Sequence, residues 1–536
     1  MDTPSKILIR VLILCSVLFS FAFPAVLRAQ TDPALETGLK PFGTYQGSNI
    51  DFVNTTTGKV HVHIPLLSYP QRGGRLHADY FITYDSASYT CETIQNQHLC
   101  ATTQVNNVFQ QQGAWVQNNA ALLSTSTDIY NDPPNDTEYR GTLVTVTDPD
   151  GATHRMGAIP ASGSTTQMRA VDGSGYYMNT SNWSYPTIYD ANGNSYNTST
   201  HTMQDAIGNQ MTAIPGGAVT DTIGRQIPAT NSNDQQCEPW QVPGQDGGTV
   251  TYQLCFYAAT TLPYTLSSIK LPNGTSYTFT YQETQITSPY DGEILELTEI
   301  GLPTGGTISY QWETVDSGCG TLNYYRTVTK RTLTDGDGDS WFWTYSLSTT
   351  SKTFTVTDPL GNVAVHTFTN LGTTTLPCSL YETQYQQKNS SGTVLRTINT
   401  SYQSTPDPGS TDYTQAGQWA LSVVPTSITT TLDSGAQSTT TKNYPTNTFS
   451  FYDLAAKPPN SSYPNSQASA LYVGNPSSVC VNDYGAGTGC TSSTSQETAY
   501  TYLAFQNGNY LNNNQLNLKS QVQVTSSSGQ QFYDHL

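Results

Sequence analysis

What this chain lacks most is charge. Asp, Glu, Lys and Arg together make up 11% of its 536 residues, against roughly a quarter in ordinary soluble domains. Lys and Glu coat helix surfaces, and no long stretch beyond the N-terminus repeats apolar side chains at i, i+3 and i+4. Both absences exclude a helical bundle. Basic residues are the rarer sign, 21 against 39 acidic for a net charge of −18. Such a surface repels phosphate backbones and argues against nucleic acid as a partner. No run after the N-terminal leader is long and apolar enough to cross a bilayer as a helix. Also missing are a G-x-S-x-G elbow, an H-E-x-x-H helix and a phosphate-cradling Gly loop. The expectation is a non-enzymatic protein with no catalytic residue and no cofactor.

Polarity comes instead from Thr, Ser, Asn, Gln and 35 Tyr. Thr and Tyr suit half-exposed strands, so the fold class is all-β. Lys6 and Arg10, the apolar run Val11 to Phe23 and Pro24 read as a secretory signal over residues 1–29. A secreted or cell-surface location follows. Removing the leader removes Cys15 and leaves eight Cys, an even number that suits disulfides in an exported protein. Connectivity is open; proximity in the chain favours Cys91–Cys100, Cys237–Cys255, Cys319–Cys378 and Cys480–Cys490.

The clearest internal repeat is Leu266 to Tyr281, LSSIKLPNGTSYTFTY, against Leu297 to Trp312, LTEIGLPTGGTISYQW, at a constant offset of 31 residues. Each copy reads as a hairpin. Ile269 and Leu271, or Ile300 and Leu302, alternate into a strand, Pro-x-Gly turns at Gly274 or Gly305, and aromatic residues return on one face. A second punctuation is Asp-x-x-Gly, at Asp148/Gly151, Asp172/Gly175, Asp190/Gly193, Asp205/Gly208, Asp221/Gly224, Asp335/Gly338 and Asp358/Gly361. Asp caps a turn through its own backbone and Gly takes the left-handed site. A lone hairpin is barely stable, so hairpins in register must stack side by side. The expected architecture is a long curved or spiralling antiparallel sheet. β-propeller or β-sandwich domains are the alternative, although propeller blades repeat at about 40–45 residues.

Composition divides the chain into 1–29, the leader; 30–245, a β region with Asp-x-x-Gly hairpins and a disulfide-held Gln/Asn-rich loop from Cys91 to Tyr130; 246–405, the hairpin repeats; and 418–536, a loop-rich β region. Polar, Gly/Pro-rich stretches at Asn231–Gly248 and Pro406–Gly417 read as linkers. Ser528 to Asp534 reads as a turn and half a returning strand, so the array is expected to continue beyond Leu536.

Tyr189-Asp190-Ala191-Asn192-Gly193-Asn194 carries the Tyr-Asp-x-x-Gly-Asn/Arg signature of the Rhs (rearrangement hot spot) or YD-repeat family. Asp205 to Asn209 and Asp221 to Arg225 carry it without the Tyr, and Asp358 to Asn362 resembles it. The segment Pro41 to Tyr84 is similar to the start of large secreted members, and the resemblance covers most of Pro41 to Phe368. It implies a spiralling β shell that displays or encloses a C-terminal polypeptide, often a toxin, cut free by a core domain absent from this chain. The implied partner is that continuation; glycans or a neighbouring cell surface are further candidates.

Four further clusters bear on chemistry. His61 and His63 share one strand face, opposite Val60, Val62 and Ile64, and no third ligand accompanies them; a solvated face is expected. Asp335, Asp337 and Asp339 offer oxygens to Ca²⁺, but Ser340 and Ser346 stand where an EF-hand needs Gly and Glu. Glu293, Glu296 and Glu299 lie close together with nothing to fix a glycosidase pair across a cleft. Trp341 and Trp343 suit either sugar stacking or an aromatic ladder within the sheet. The readings that follow are a non-enzymatic shell segment, a carbohydrate-binding or adhesive β protein, and, least favoured, a glycoside hydrolase.

Overall fold

The computed structural model describes residues 39 and 42–534 apart from 87–88, 95–96, 103–114, 120–123, 131–140, 149–151, 160–166, 183–184, 214–216, 230–236, 245–246, 258–264, 287–291, 317–323, 373–378, 407–419, 453–466, 486–494 and 526–530. The leader at 1–29 and Cys319, Cys378 and Cys490 lie outside the described residues. The described chain is nearly all β. Helix is confined among these residues to Gly508–Asn512 and single turns such as Arg72–Gly74 and Leu503–Phe505.

Three antiparallel sheets form. The first has five strands, in the order Tyr45–Gly47, Asp51–Asn54, Val60–Tyr69, Ala78–Asp85 and Trp115–Asn119. The second has thirteen strands and holds the early Asp-x-x-Gly hairpins, down to Gln226–Ile227; Thr448–Tyr452 and Gln467–Leu471 join its other side. The third has twenty strands. It runs in chain order from Glu238–Pro243 to Gln437–Asn443, then through Ser478–Asn482, Ser495–Tyr502, Lys519–Thr525 and Gln531–Asp534 to Tyr89–Ile94 and Gln97–Thr102. Tyr89–Ile94 also pairs, Cys91 with Tyr324, onto the strand Tyr324–Thr334 in the middle of the same sheet. The path of strands therefore returns on itself. Hairpin follows hairpin without a division into four-stranded blades.

The two punctuations prove to be one turn. In each, the N–H of the first residue donates to the carbonyl of the fifth, and the Gly N–H donates back to the first: Asp190, Asp205, Asp221, Leu271, Leu302, Asp335 and Asp358 all do so. Gly193, Gly208, Gly224, Gly274, Gly305 and Gly361 sit at φ between 79° and 92°, the left-handed residue of a type I turn with a bulge. Asn389–Thr393 and Leu432–Ala436 close the same way, and only their Gly in fourth place marks them in the sequence. Asp172 departs from the pattern: its carboxylate bonds His154 and Ser174 instead.

A second device recurs on the strands. The pairing register shifts between Thr280 and Tyr281, Gln311 and Trp312, Thr367 and Phe368, Ser401 and Tyr402, and Thr501 and Tyr502. Each shift stands immediately before an aromatic residue. Such bulges sharpen strand twist and re-aim the next side chain. The polar tips then reach back to a main-chain carbonyl: Tyr281 OH to Leu266 at 2.6 Å, Trp312 Nε1 to Leu297 at 3.0 Å, Tyr402 OH to Glu382 at 2.8 Å and Tyr502 OH to Pro476 at 3.0 Å. The first two are the same bond repeated at the 31-residue offset, and both copies bury Leu, Ile and aromatic residues in one core.

That core lies between the five-stranded sheet and the long one. Val53, Val60, Val62, Ile64, Ile82 and Tyr84 face Leu266, Ile269, Phe279, Leu297, Ile300, Ile308 and Phe354. A second core joins Leu76, Ala78 and Tyr80 to the row Met168, Met178, Ile188, Tyr196, Met203, Met211, Val219 and Ile227 and to Trp240. The N-terminal ribbon is thus the common filling of both larger sheets.

Three expectations change. The described residues of Cys91 to Tyr130 supply strands to all three sheets, where a loop was expected; the Gln, Asn and Thr of this stretch lack the apolar alternation that reveals a strand. Asn231–Gly248 contains the strand Glu238–Pro243, paired with Thr249–Phe256 and anchored by buried Trp240. His61 does not face solvent. It is 6% exposed, and its Nδ1 lies 3.2 Å from Oδ2 of Asp85, the residue opposite it on the next strand.

Gly58 marks how closely ribbon and long sheet approach. Val328 N donates to Gly58 O at 2.9 Å, φ is +69°, and a Cβ there would lie 1.6 Å from Thr327 Oγ1. Gly58→Ala should destabilise by at least about 2 kcal/mol, from left-handed strain plus the clash. Gly224→Ala, with similar φ but open space around it, should lose only about 1 kcal/mol. Denaturant midpoints of the two variants check the order.

Candidate functional site

The best-defined polar constellation lies where the ribbon meets the long sheet. Asp51 is fully buried and Arg331 nearly so. Arg331 Nε donates to Asp51 Oδ2 at 2.5 Å and Nη2 to Oδ1 at 2.8 Å; Tyr310 OH donates to Oδ2 at 2.8 Å, and Ser48 Oγ bonds Oδ1. Burial pushes the Asp51 carboxyl up, but the Arg331 hydrogen bonds and charge, helped by Ser48 and Tyr310, outweigh it and hold the group below its usual range. Burial and the Asp51 charge drive the Tyr310 phenol well up, so it stays a donor. Arg331 also stacks over Trp343, 5.1 Å from the ring centre. These residues lie on strands 280 positions apart in the chain and fasten one sheet to the other.

A cavity of about 380 Å³ opens beside this pair, lined by Ser48, Asn49 and Ile50 of the ribbon, the turn Leu302 to Thr304, and Tyr277, Ile308, Arg331 and Leu333. Its walls are mostly apolar, and the one cation at its edge is neutralised by Asp51.

Other titratable groups are tied in pairs. His154 lies between Asp172 (Nδ1 to Oδ2, 2.7 Å) and Asp148 (Nε2 to Oδ2, 3.3 Å), with the Tyr176 ring 4.6 Å from its own. Burial lowers its affinity for a proton, but the Asp172 and Asp148 carboxylates outweigh that and raise it to about 10. Asp172 is pushed up by burial and brought below its usual range by the His154 charge and its hydrogen bonds to His154 and Ser174. His366 Nδ1 bonds Glu382. Arg169 is 7% exposed between the rings of Tyr177 and Tyr472, at 4.6 and 4.8 Å, and donates to Asn514 Oδ1 at 2.6 Å. Burial lowers it to about 10. Asn514 in turn donates to Gly175 O and Asp190 O at 2.8 and 2.7 Å, clipping the C-terminal segment onto the Asp-x-x-Gly hairpins.

The residues singled out in the sequence fall as follows. In the repeat turns the carboxylate has a defined task. Asp190, Asp205, Asp221 and Asp358 each accept two backbone N–H groups through Oδ1, while Oδ2 takes Asn194, Asn209, Arg225 or Asn362. The Asn or Arg in fifth place is thus the side-chain partner of the Asp in first place. Asp335 accepts from the N–H groups of Asp337 and Asp339 and so spends an oxygen on its own turn; among the described residues no three His, Cys, Asp or Glu side chains converge as metal ligands. Glu296 is bound by Arg326 at 2.5 and 3.0 Å and by Thr284 at 2.7 Å. Cys237–Cys255 is a disulfide, Cys480 is disulfide-bonded, and Cys91 and Cys100 stand directly opposite in one hairpin. Sequence reasoning passed over Asp51, Arg331, His154, Arg169 and Asn514. The available signal was parity: Asp51 alternates in phase with Val53 and Arg331 with Leu333, a charge at an apolar-face position of a strand.

No model of a known protein family matches the chain, and no curated protein does. Among solved structures, one titled "Crystal Structure of TcdB2-TccC3-Cdc42" superposes over 89% of this chain at 10% identity and a TM-score of 0.18. The chain spans 27% of that structure's chain, and the likeness is too remote to fix a fold.

Two outcomes follow. Arg331→Met strands a buried carboxylate and should cost about 3–5 kcal/mol, whereas Asp51→Leu combined with Arg331→Met should recover much of that loss; chemical denaturation of the three proteins measures it. His154 binds its proton more tightly folded than unfolded. Its contribution is therefore complete below the unfolded value of about 6.5 and disappears as pH rises through about 10. Asp172, shifted down, contributes above its unfolded value and loses that in acid. Melting temperature against pH should fall between neutrality and pH 10, and the fall should flatten in His154→Ala.

Proposed function

We propose that this chain is an exported, non-enzymatic wall segment of a YD-repeat shell, one that displays or encloses another polypeptide. The observation that supports it is the long sheet of consecutive hairpins, turned by one recurring five-residue motif and returning on itself through Tyr89–Ile94. The motif is the one by which the sequence resembles the Rhs/YD family, and its geometry gives the Asp, the Gly and the Asn or Arg each a structural task. The buried acids and imidazoles at Asp51, Glu296, His154 and His366 are held by partners within the wall, which suits a scaffold better than a reaction centre. Secretion or display at the cell surface is the location this reading requires, and delivery of a toxin or contact with a neighbouring cell is the role it suits.

Small-angle scattering of the purified protein tests it. A filled globule of this length has a radius of gyration of about 24 Å. A wall around a space should exceed that clearly and show a distance distribution displaced to long vectors. A radius near the filled value, or glycan hydrolysis abolished by one carboxylate substitution, overturns the reading.

A further inference from the structure

The cavity beside Asp51 and Arg331 has features that fastening two sheets does not require. Asn49 and Thr304 line it as exposed residues and Tyr277 as a half-buried one, so one amide and two hydroxyls stand at its opening. Polar groups set around apolar walls are the arrangement that can fix the orientation of a ligand. The wall continues sideways. Leu333 stands opposite Trp341 in the pairing of adjacent strands, and Arg331 opposite Trp343; opposed residues share a face, so both Trp side chains extend the surface that floors the cavity. Trp343 is occupied by Arg331, whereas Trp341 is 41% exposed. Tyr277 and Trp341 lie four strand spacings apart, roughly 20 Å.

The chemistry of the occupant is constrained from three sides. Arg331 is neutralised by Asp51, so the cavity offers no net charge to an ionic ligand. The three strands Ser276–Ile286, Thr307–Asp316 and Tyr324–Thr334 are each paired on both sides, which leaves no open ladder in the long sheet at the cavity onto which an extended peptide adds. What remains open are ring faces, one amide and two hydroxyls. A pyranose matches these: its C–H face lies on aromatic rings and its hydroxyls both donate and accept.

We propose that this cavity binds one unit of a neutral carbohydrate, with further units running across Trp341. The inference stands apart from the shell reading, since a hollow wall with no sugar site and a filled protein with one are both measurable outcomes.

The test is calorimetric and saturation-transfer titration of the purified protein with neutral oligosaccharides built from glucose, galactose and N-acetylglucosamine. Saturable binding in the range of about 0.1–10 mM is expected for at least one. Tyr277→Phe, which removes only a hydroxyl, and Asn49→Ala should each weaken it roughly three- to tenfold. Trp341→Ala should abolish the gain in affinity from single sugar to oligomer. Unchanged melting temperatures verify folding, and Tyr277→Phe keeps the test intact if Trp341→Ala does not fold. Absence of saturable binding by every sugar, or binding that the Tyr277 and Asn49 variants leave unaltered, overturns the proposal. So does an uncharged peptide that binds in place of sugar and is lost in the same variants.

Discussion

A buried Asp51 facing a buried Arg331 is the contact on which the arrangement of sheets turns. Two desolvated charges gain little over well-packed apolar residues, but either one alone is heavily penalised. The pair is therefore better understood as a register pin than as a source of stability. Apolar contacts between the ribbon and the long sheet are non-directional and would tolerate a shift along the strands. A guanidinium with two fixed donors and a carboxylate also bonded by Tyr310 and Ser48 tolerates almost none. Gly58, pressed against Thr327, sets the distance of approach, and the ion pair sets the lateral position.

Around that pin the structure is assembled from two small devices. The turn supplies reversal: a Gly with positive φ, and a first residue that either caps its own amides as Asp does or leads into Pro as Leu271 and Leu302 do. The bulge before an aromatic supplies curvature, and the tips of Tyr281, Trp312 and Tyr402 each bond a carbonyl on a neighbouring strand. Neither device needs lysine or glutamate, which accounts for the low charge. Both use Tyr, Thr, Asn and Gly, the residues the chain has in plenty.

Much of this was legible in the sequence because it is local. Asp-x-x-Gly and Leu-Pro-x-Gly state their turns within five residues, and the 31-residue offset states that two hairpins share one environment. The Cys237–Cys255 bond was accessible from proximity alone. What was not legible is non-local. Nothing near Asp51 announces Arg331, and nothing near His61 announces Asp85, 24 positions on. The polar strands between Cys91 and Tyr130 were hidden for a related reason. Their Gln, Asn and Thr carry no apolar alternation, and backbone pairing to strands distant in the chain holds them in the sheets, so their composition reads as loop. The fifth-position Asn or Arg was visible as part of a motif, while its role, bonding the Asp carboxylate, needed coordinates.

The strand Tyr89–Ile94 has a consequence for biosynthesis. It is made early, yet its partners Tyr324 and Gln531–Asp534 emerge more than two hundred residues later, on the order of tens of seconds at ordinary rates of translation. Through that interval only its hairpin partner Gln97–Thr102 is at hand, its other edge has no native neighbour, and non-local pairing of this kind is slow and exposed to aggregation. The polar character of YTCETI and QHLCAT suits that wait: segments poor in large aliphatic side chains present little for another nascent chain to adhere to. Their composition is then a matter of the route to the native state as much as of the state itself.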